Sequence, residues 1–201
     1  MKNRIGPWRV TYTGNQFWPF DPRSEDFILE DIVQALSNMC RFNGSTKEHY
    51  SVGQHSVLVA KLLRDWGHPP LVILAGLLHD CGEPYLTDIP GPIKSSTFFN
   101  VNGKVTSFSV VERRILSCLS LSLTGVSLNF KDPNVHLADA TLLFWEKRDC
   151  LLPCSAIWEK QGTVEIPDKE IMFWSPTETK LSFLTNFNLL MEEIHADSSS
   201  K

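Results

Sequence analysis

Residues 71–80 read Leu71-Val72-Ile73-Leu74-Ala75-Gly76-Leu77-Leu78-His79-Asp80, an apolar run that ends in an imidazole and a carboxylate. Pro70 suits the first turn of a helix, and the run predicts a helix that reaches Asp80. Because adjacent helical residues point about 100° apart, His79 and Asp80 meet only at a point between their directions, in a cleft against other helices. A divalent metal ion is the usual reason for such a pair, although the dipeptide also occurs by chance.

Other candidate groups lie on neighbouring predicted helices. His55 belongs to residues 52–60, which read as a helix start that continues into an apolar face. Asp139 lies in a second amphipathic segment, and Glu83 follows His79 by four positions, which is one helical turn if the helix continues that far. Each signal is weak alone, but together they place imidazoles and carboxylates on three helical segments.

The order His, His-Asp, Asp across three predicted helices resembles the HD-domain metal-dependent phosphohydrolases. The resemblance extends from about residue 11 to residue 151, which is about two thirds of the chain. It implies a helical bundle of the HD type. It also implies four metal ligands, which are His55, His79, Asp80 and Asp139.

One subgroup of that superfamily is especially similar. Residues 79–94 resemble the HDxxExxxxD(I/L)PxPxK pattern of deoxynucleotide 5'-nucleotidases and of small phage-encoded HD hydrolases, including phage dATP triphosphohydrolases. Residues 41–44 and 50–56 resemble the upstream Arg-aromatic and S-V-x-x-H-S blocks of the same subgroup. The family usually has a small residue such as alanine where this chain has Gly53 and Cys81.

The resemblance assigns roles to five further residues. It implies that Glu83 is the acid/base group and that Asp88 lies at the site, although Asp88 serves equally well in a turn before Pro90. We expect Arg41 and Lys94 to contact phosphate. The alternative is that both are solvated charges on the surface, which is common for an isolated Arg or Lys. Phe42 is expected either to stack on a base or to pack in the core. Weaker candidates for a longer phosphate tail are Lys47, Arg113 and Arg114. The histidines not expected to be ligands are His49, His68, His136 and His195.

Two imidazoles and two carboxylates suit Zn, Co, Mn, Ni or Fe more than Mg or Ca, because imidazole prefers transition metals. We therefore expect one divalent transition-metal ion. Such a cation lowers the pKa of water and polarises a phosphoryl group. A second ion such as Mg is compatible with a triphosphate substrate.

Composition sets limits on the function. The chain has 201 residues, of which 42% are hydrophobic, with a net charge of −4, as expected for one globular domain. The negative net charge argues against binding a nucleic-acid polymer. No apolar run in the sequence is long enough to span a membrane. The N-terminus lacks the apolar core of a signal peptide. Five cysteines in no disulfide pattern predict reduced, mostly buried thiols in a cytoplasmic protein. A homo-oligomer is compatible with the sequence.

The predicted fold is all-α, a single-domain helical bundle with a small N-terminal β-hairpin between Trp8 and Trp18. We expect an N-terminal segment over residues 1–27, the HD-type helical domain over 28–195 and a flexible tail over 196–201. Helices are predicted over residues 28–40, 52–66, 70–80, 107–119, 134–148 and 178–195. Residues 90–103 are predicted to be a loop and residues 161–175 to be turn-rich with a short strand.

The leading functional hypothesis is a phosphohydrolase of deoxynucleotides, favoured as a dATP triphosphohydrolase. One alternative is a dNMP 5'-nucleotidase, which the motifs do not separate from the first. A further alternative is a non-catalytic, metal-containing scaffold that binds nucleotides. Hydrolysis of guanosine tetraphosphate is less favoured, because those HD enzymes carry HDxxED and Glu83 is followed here by Pro84.

Overall fold

The computed structural model describes residues 3–155 and 165–199. These residues form eight α-helices and two short antiparallel β-hairpins, which confirms the all-α prediction and its N-terminal hairpin. The hairpins pair β1 (Arg9–Val10) with β2 (Gln16–Phe17) and β3 (Phe98–Val101) with β4 (Lys104–Ser107). The helices are α1 (Leu29–Asn38), α2 (Val52–Asp65), α3 (Pro70–Leu78), α4 (Glu83–Leu86), α5 (Gly91–Lys94), α6 (Phe108–Thr124), α7 (Pro133–Asp149) and α8 (Pro176–Ser199).

Helix α2 lies at the centre and packs against α1, α3, α7 and α8. Ser51 caps its first turn by accepting a hydrogen bond from the Gln54 amide at 3.0 Å. Residues 52–60 are all buried, so polar side chains on this helix, His55 included, must find partners inside the protein. At Gly53 an added Cβ would lie 3.2 Å from the Leu36 backbone, so this position leaves little room for a larger side chain.

Helix α3 ends at Leu78, two residues before the predicted end. A continuous helix would need the amide of residue 84 to bond the carbonyl of Asp80, and Pro84 has no amide hydrogen. The chain therefore turns through residues 79–82 and starts α4 at Glu83, with Pro84 in its first turn. Glu83 thus begins a new helix instead of extending the helix before it.

The N-terminal hairpin packs against α4. Phe17 of β2 is fully buried and stacks on Tyr85 of α4, with 3.8 Å between the ring centroids. The Arg9 guanidinium donates a hydrogen bond to the Pro84 carbonyl. These contacts hold the short helix that carries Glu83.

The second hairpin corrects the prediction of a loop over residues 90–103. Strands β3 and β4 are joined by Asn102 and Gly103, both of which have positive φ angles, 52° and 81°. Asn-Gly is the sequence that favours this kind of two-residue turn, so the signal was present in the sequence. Helix α5 also lies within the predicted loop.

Helix α7 follows its prediction closely. Asp132 caps it by accepting a hydrogen bond from the Asn134 amide at 2.8 Å, and Pro133 is its first residue. The helix ends at Asp149. Asp139 is thereby placed on a long, regular helix that packs against α2 and α3.

The C-terminal region differs from its prediction at two points. Helix α8 continues to Ser199, so residues 196–199 are helical and not a loose tail, since no glycine or proline stops the helix. The predicted turn-rich segment falls partly on residues 156–164, which lie outside the described residues, and residues 165–175 contain no strand.

The cysteines are less buried than predicted. Cys81 and Cys150 are buried, Cys118 is half-buried, and Cys40 and Cys154 are exposed. Among the described residues no helix has the length and apolar character needed to cross a bilayer.

Candidate metal centre

The structure brings the four predicted metal ligands together. His55 comes from the buried first half of α2, His79 and Asp80 from the turn after α3, and Asp139 from the middle of α7. The His55 Nε2 lies 3.4 Å from the His79 Nε2 and 3.1 Å from the Asp139 Oδ1. The Asp80 Oδ2 lies 3.2 Å from the His79 Nε2 and 3.6 Å from the His55 Nε2.

These spacings fit a metal ion. Ligand atoms that lie about 2.0–2.2 Å from a zinc-like ion stand about 3–3.5 Å apart in tetrahedral or octahedral geometry. The nitrogens and oxygens of His55, His79 and Asp80 all lie within 4.8 Å of one another. Asp139 is outside that group of three, but its Oδ1 lies 3.1 Å from the His55 Nε2 and 3.9 Å from the His79 Nε2, and its side chain is 43% exposed.

The electrostatics of the cluster also favour a cation. Burial lowers the pKa of His79, but the carboxylate of Asp80 outweighs it and raises that pKa to about 9. Burial alone would raise the pKa of Asp139, yet the hydrogen bond between Asp139 and His55 lowers that pKa to about 2. The carboxylates therefore stay charged and stabilise positive charge at the point where the imidazoles meet.

Glu146 orients His55 from behind. Its side chain is 0% exposed, and the His55 Nδ1 lies 2.7 Å from its Oε1. The Tyr50 hydroxyl donates to the same oxygen at 2.8 Å, and the Arg41 guanidinium donates to the other oxygen at 3.1 Å. With Nδ1 held by this carboxylate, the Nε2 of His55 is left to bind a metal, an arrangement common behind metal-binding histidines.

The second imidazole is held in a similar way. The His79 Nδ1 lies 2.7 Å from the Gly76 carbonyl, one turn earlier on α3. This contact leaves the His79 Nε2 facing the His55 Nε2. Both rings thus present the same nitrogen to the centre.

Glu83 and Asp88 lie close to the ligands. Glu83 is buried, and its Oε2 has no hydrogen-bond partner among the described residues. Burial, with the nearby carboxylates of Asp80 and Asp88, raises the pKa of Glu83 well above its usual range. Burial also raises the pKa of Asp88, against the opposing charge of Arg41.

The predicted phosphate contacts are near the centre but already have partners. Arg41 lies between Glu146, at 3.1 Å, and Asp80, at 3.6 Å, and these carboxylates raise its pKa despite burial. The Lys94 ammonium forms an ion pair with Glu112 of α6. A phosphate that binds either cation must therefore compete with a carboxylate.

Phe42 has an unusual backbone. It adopts φ 53° and ψ 29°, and Asn43 and Gly44 also have positive φ. Such a conformation is costly for an aromatic residue, and it commonly marks functional segments. The half-buried Phe42 ring lies 5.5 Å from the Arg41 guanidinium carbon, and its contact with a base stays a prediction.

A cleft of about 490 Å³ opens beside the ligands. His79, Asp80 and Asp139 line it together with residues of α6 and of the start of α7. His136, which we did not expect to be a ligand, is exposed and also lines this cleft. Two of the weaker phosphate candidates bind backbone carbonyls outside the cleft lining, Lys47 that of Asp149 and Arg114 that of Phe20.

Sequence reasoning missed three residues of the site. Glu146 follows Asp139 by seven positions, which places both on one face of α7, and this spacing was the available signal. Tyr50 and Glu112 gave no such signal, because their partners Glu146 and Lys94 are distant in the sequence.

Comparisons with known proteins agree with this geometry. Residues 52–117 match the profile of the family described as "HD domain", a segment that holds His55, His79 and Asp80 but not Asp139. The chain is also similar to the "Uncharacterized protein YfdR" of Escherichia coli (strain K12), with 28% identity over 183 residues that cover 90% of this chain and 94% of that protein. The HD-domain match supports the superfamily of HD metal-dependent phosphohydrolases, and the site offers residues that can hold the metal.

Proposed function

We propose that this HD-domain protein is a metal-dependent phosphohydrolase of deoxynucleotides. One observation carries the proposal. The Nε2 atoms of His55 and His79 lie 3.1–3.9 Å from each other and from carboxylate oxygens of Asp80 and Asp139, beside an open cleft. Donors of this kind at this spacing suit a transition metal such as Zn, Co, Mn, Ni or Fe.

When bound, the metal ion supplies Lewis-acid chemistry, activating water and polarising a phosphoryl group. The protein's own residues supply positioning and proton transfer. Glu83, buried beside Asp80 with a raised pKa, suits a proton donor to the leaving 5'-oxygen. Asp88 lies near enough to assist in moving that proton.

The proposed reaction breaks the bond between the α-phosphorus and the 5'-oxygen of the deoxynucleoside. A water oxygen forms the new bond to phosphorus, and the 5'-oxygen takes a proton. A dATP substrate would then yield deoxyadenosine and triphosphate in one piece. Arg41 and Lys94 would neutralise phosphate oxygens once drawn from their carboxylate partners, and Phe42 would face the base.

The nucleotidase alternative uses the same bond cleavage on a dNMP, giving deoxynucleoside and orthophosphate. The two reactions differ only in how many phosphates the cleft must hold. We favour dATP because the cleft extends beyond the ligands and carries basic side chains.

The experiment is to load the protein with Mn or Co, incubate it with each dNMP and dNTP, and separate the products by chromatography. We expect triphosphate from dATP, with the Asp80→Ala variant inactive. Stepwise release of orthophosphate from dATP would contradict the proposed cleavage, and turnover of dNMPs alone would favour the nucleotidase. Absence of turnover with every metal would favour the alternative of a non-catalytic scaffold that binds nucleotides.

A further inference from the structure

The cleft beside the metal centre is lined by groups of both charges. The carboxylates of Asp80 and Asp139 line it. Three further side chains line the same cleft, Arg113 on α6, Lys131 just before α7 and His136 in the first turn of α7. A substrate lying in this cleft can therefore reach both the carboxylates and these three side chains.

These three side chains form no hydrogen bond or ion pair within the part of the chain that the structure describes. Lys94, in the same cleft, instead binds Glu112. The neighbouring Arg114 donates to the Phe20 carbonyl and lines a separate, mainly apolar hollow. The unpaired basic groups are thus gathered on the cleft side of α6 and α7.

Two unpaired cations, Arg113 and Lys131, that line the same cleft suit a ligand with several negative charges. One orthophosphate at the metal centre would engage the ligands alone. A longer phosphate chain extends along the cleft and can bring further charges to Arg113 and Lys131. Guanidinium and ammonium groups both bind phosphate oxygens well, the first as a fork and the second as a point charge.

We propose that Arg113, Lys131 and His136 bind the outer phosphates of a nucleoside triphosphate whose innermost phosphate lies at the metal centre. This inference rests on the proposed function and deepens it, because it makes these residues determinants of phosphate-chain length. Glu112 lies beside Arg113 and already neutralises Lys94, so Lys94 contributes less to the outer phosphates than its position suggests.

The test uses inorganic triphosphate and orthophosphate as probes, titrated calorimetrically into metal-loaded protein. Elemental analysis after each titration confirms that the metal remains bound. We expect triphosphate to bind more tightly than orthophosphate, and the Arg113→Ala/Lys131→Ala variant to lose roughly tenfold in triphosphate affinity, in keeping with partly exposed charge pairs. Orthophosphate affinity should change by less than twofold.

Arg114→Ala is the matched control for Arg113→Ala alone, because it removes the same charge from the next residue of the same helix. It should leave the triphosphate affinity unchanged. An equal loss of triphosphate affinity in Arg113→Ala and Arg114→Ala would overturn the inference, since the loss would then reflect only the overall charge of the protein. Unchanged triphosphate affinity in the double variant would also overturn it, most clearly if Phe130→Ala altered nucleotide binding, because the cleft would then hold the base on Phe130.

Failure of this inference differs from failure of the proposed function. If no nucleotide is hydrolysed but the double variant loses triphosphate affinity, the phosphate site stands and the catalytic proposal falls. If dATP is hydrolysed and the double variant keeps its KM for dATP and its triphosphate affinity, the catalytic proposal stands and the phosphate site falls.

Discussion

At the scale of single residues, Glu146 is the least expected part of the metal centre. A fully buried carboxylate costs folding free energy unless it is paired with opposite charge and hydrogen-bonded. Glu146 has three such partners within 3.1 Å. Burial raises its pKa, but Arg41 and His55 outweigh that effect and keep the pKa below its usual value. Glu146 therefore remains ionised and holds the Nδ1 of His55.

We predict that Glu146→Gln weakens metal binding by about 10- to 100-fold, the usual effect of losing the partner of a metal-binding histidine. The amide keeps nearly the same shape but cannot hold His55 with a full charge. Competition with a chelator measures the affinity. Glu193→Gln, at the half-buried pair with Arg64, is the control and should have no effect on metal affinity. Wild-type affinity in Glu146→Gln would mean that its role is only to fill space.

Glu83 gives a second prediction at this scale. We expect Glu83→Gln to retain the metal and to lose at least about 100-fold in turnover, the usual scale for a positioned acid/base group. The substitution keeps the size of the side chain and removes only its titrating proton. Steady-state kinetics on metal-replete protein would check this. Near-normal turnover would show that Glu83 serves the fold alone.

At the scale of elements, α3 packs tightly against α2 at Gly76. A Cβ added at Gly76 would lie 2.3 Å from the Leu63 Cδ1 and 3.3 Å from the Val59 Cγ1, both on α2. Leu63 is fully buried and has little room to move. This contact sets the distance between the helix that carries His55 and the one that leads to His79.

We predict that Gly76→Ala destabilises the protein by about 1–3 kcal/mol through overpacking, although alanine is the better helix former by about 1 kcal/mol. Gly91→Ala is the matched control, since a Cβ there meets nothing within 4 Å. Urea unfolding gives both free energies. A Gly76→Ala variant at least as stable as the wild type would show that α2 and α3 separate easily.

Elements with local signals were predictable from the sequence. Asp132 and Pro133 marked the start of α7, and the apolar run from Leu71 marked α3. The loop prediction for residues 90–103 is wrong because Asn102-Gly103 forms the turn of the β3–β4 hairpin. The resemblance predicts the four candidate ligands, whereas the partners of Arg41 and Lys94 depend on contacts that no local pattern records.

At the scale of the whole molecule, the four predicted metal ligands come from segments that are distant in the chain. His55 and Asp139 are separated by 84 positions, and the turn that carries His79 and Asp80 lies between them. An ion held by all four would link α2, α3 and α7, the helices that pack around the core. Bound metal should therefore stabilise the folded state against unfolding.

We predict that Mn or Co raises the melting temperature of the wild-type protein in a concentration-dependent way. At a metal concentration 100 times the dissociation constant, the expected stabilisation is about 2.7 kcal/mol. The Asp80→Ala variant should show almost no shift, while Asp88→Asn, which keeps all four ligands, should retain it. Full metal occupancy of Asp80→Ala would contradict the ligand assignment.

The bridge that Glu146 forms between Arg41 and His55 also has a thermodynamic consequence. One carboxylate serves a residue expected to bind substrate and a residue expected to bind metal. If a bound phosphate breaks the ion pair between Arg41 and Glu146, the negative charge of Glu146 is no longer shared with Arg41 and acts more fully on His55. The Nε2 of His55 then becomes a stronger electron-pair donor to the metal. Metal and substrate would then each tighten the binding of the other by the same factor, because coupling between two binding equilibria is reciprocal.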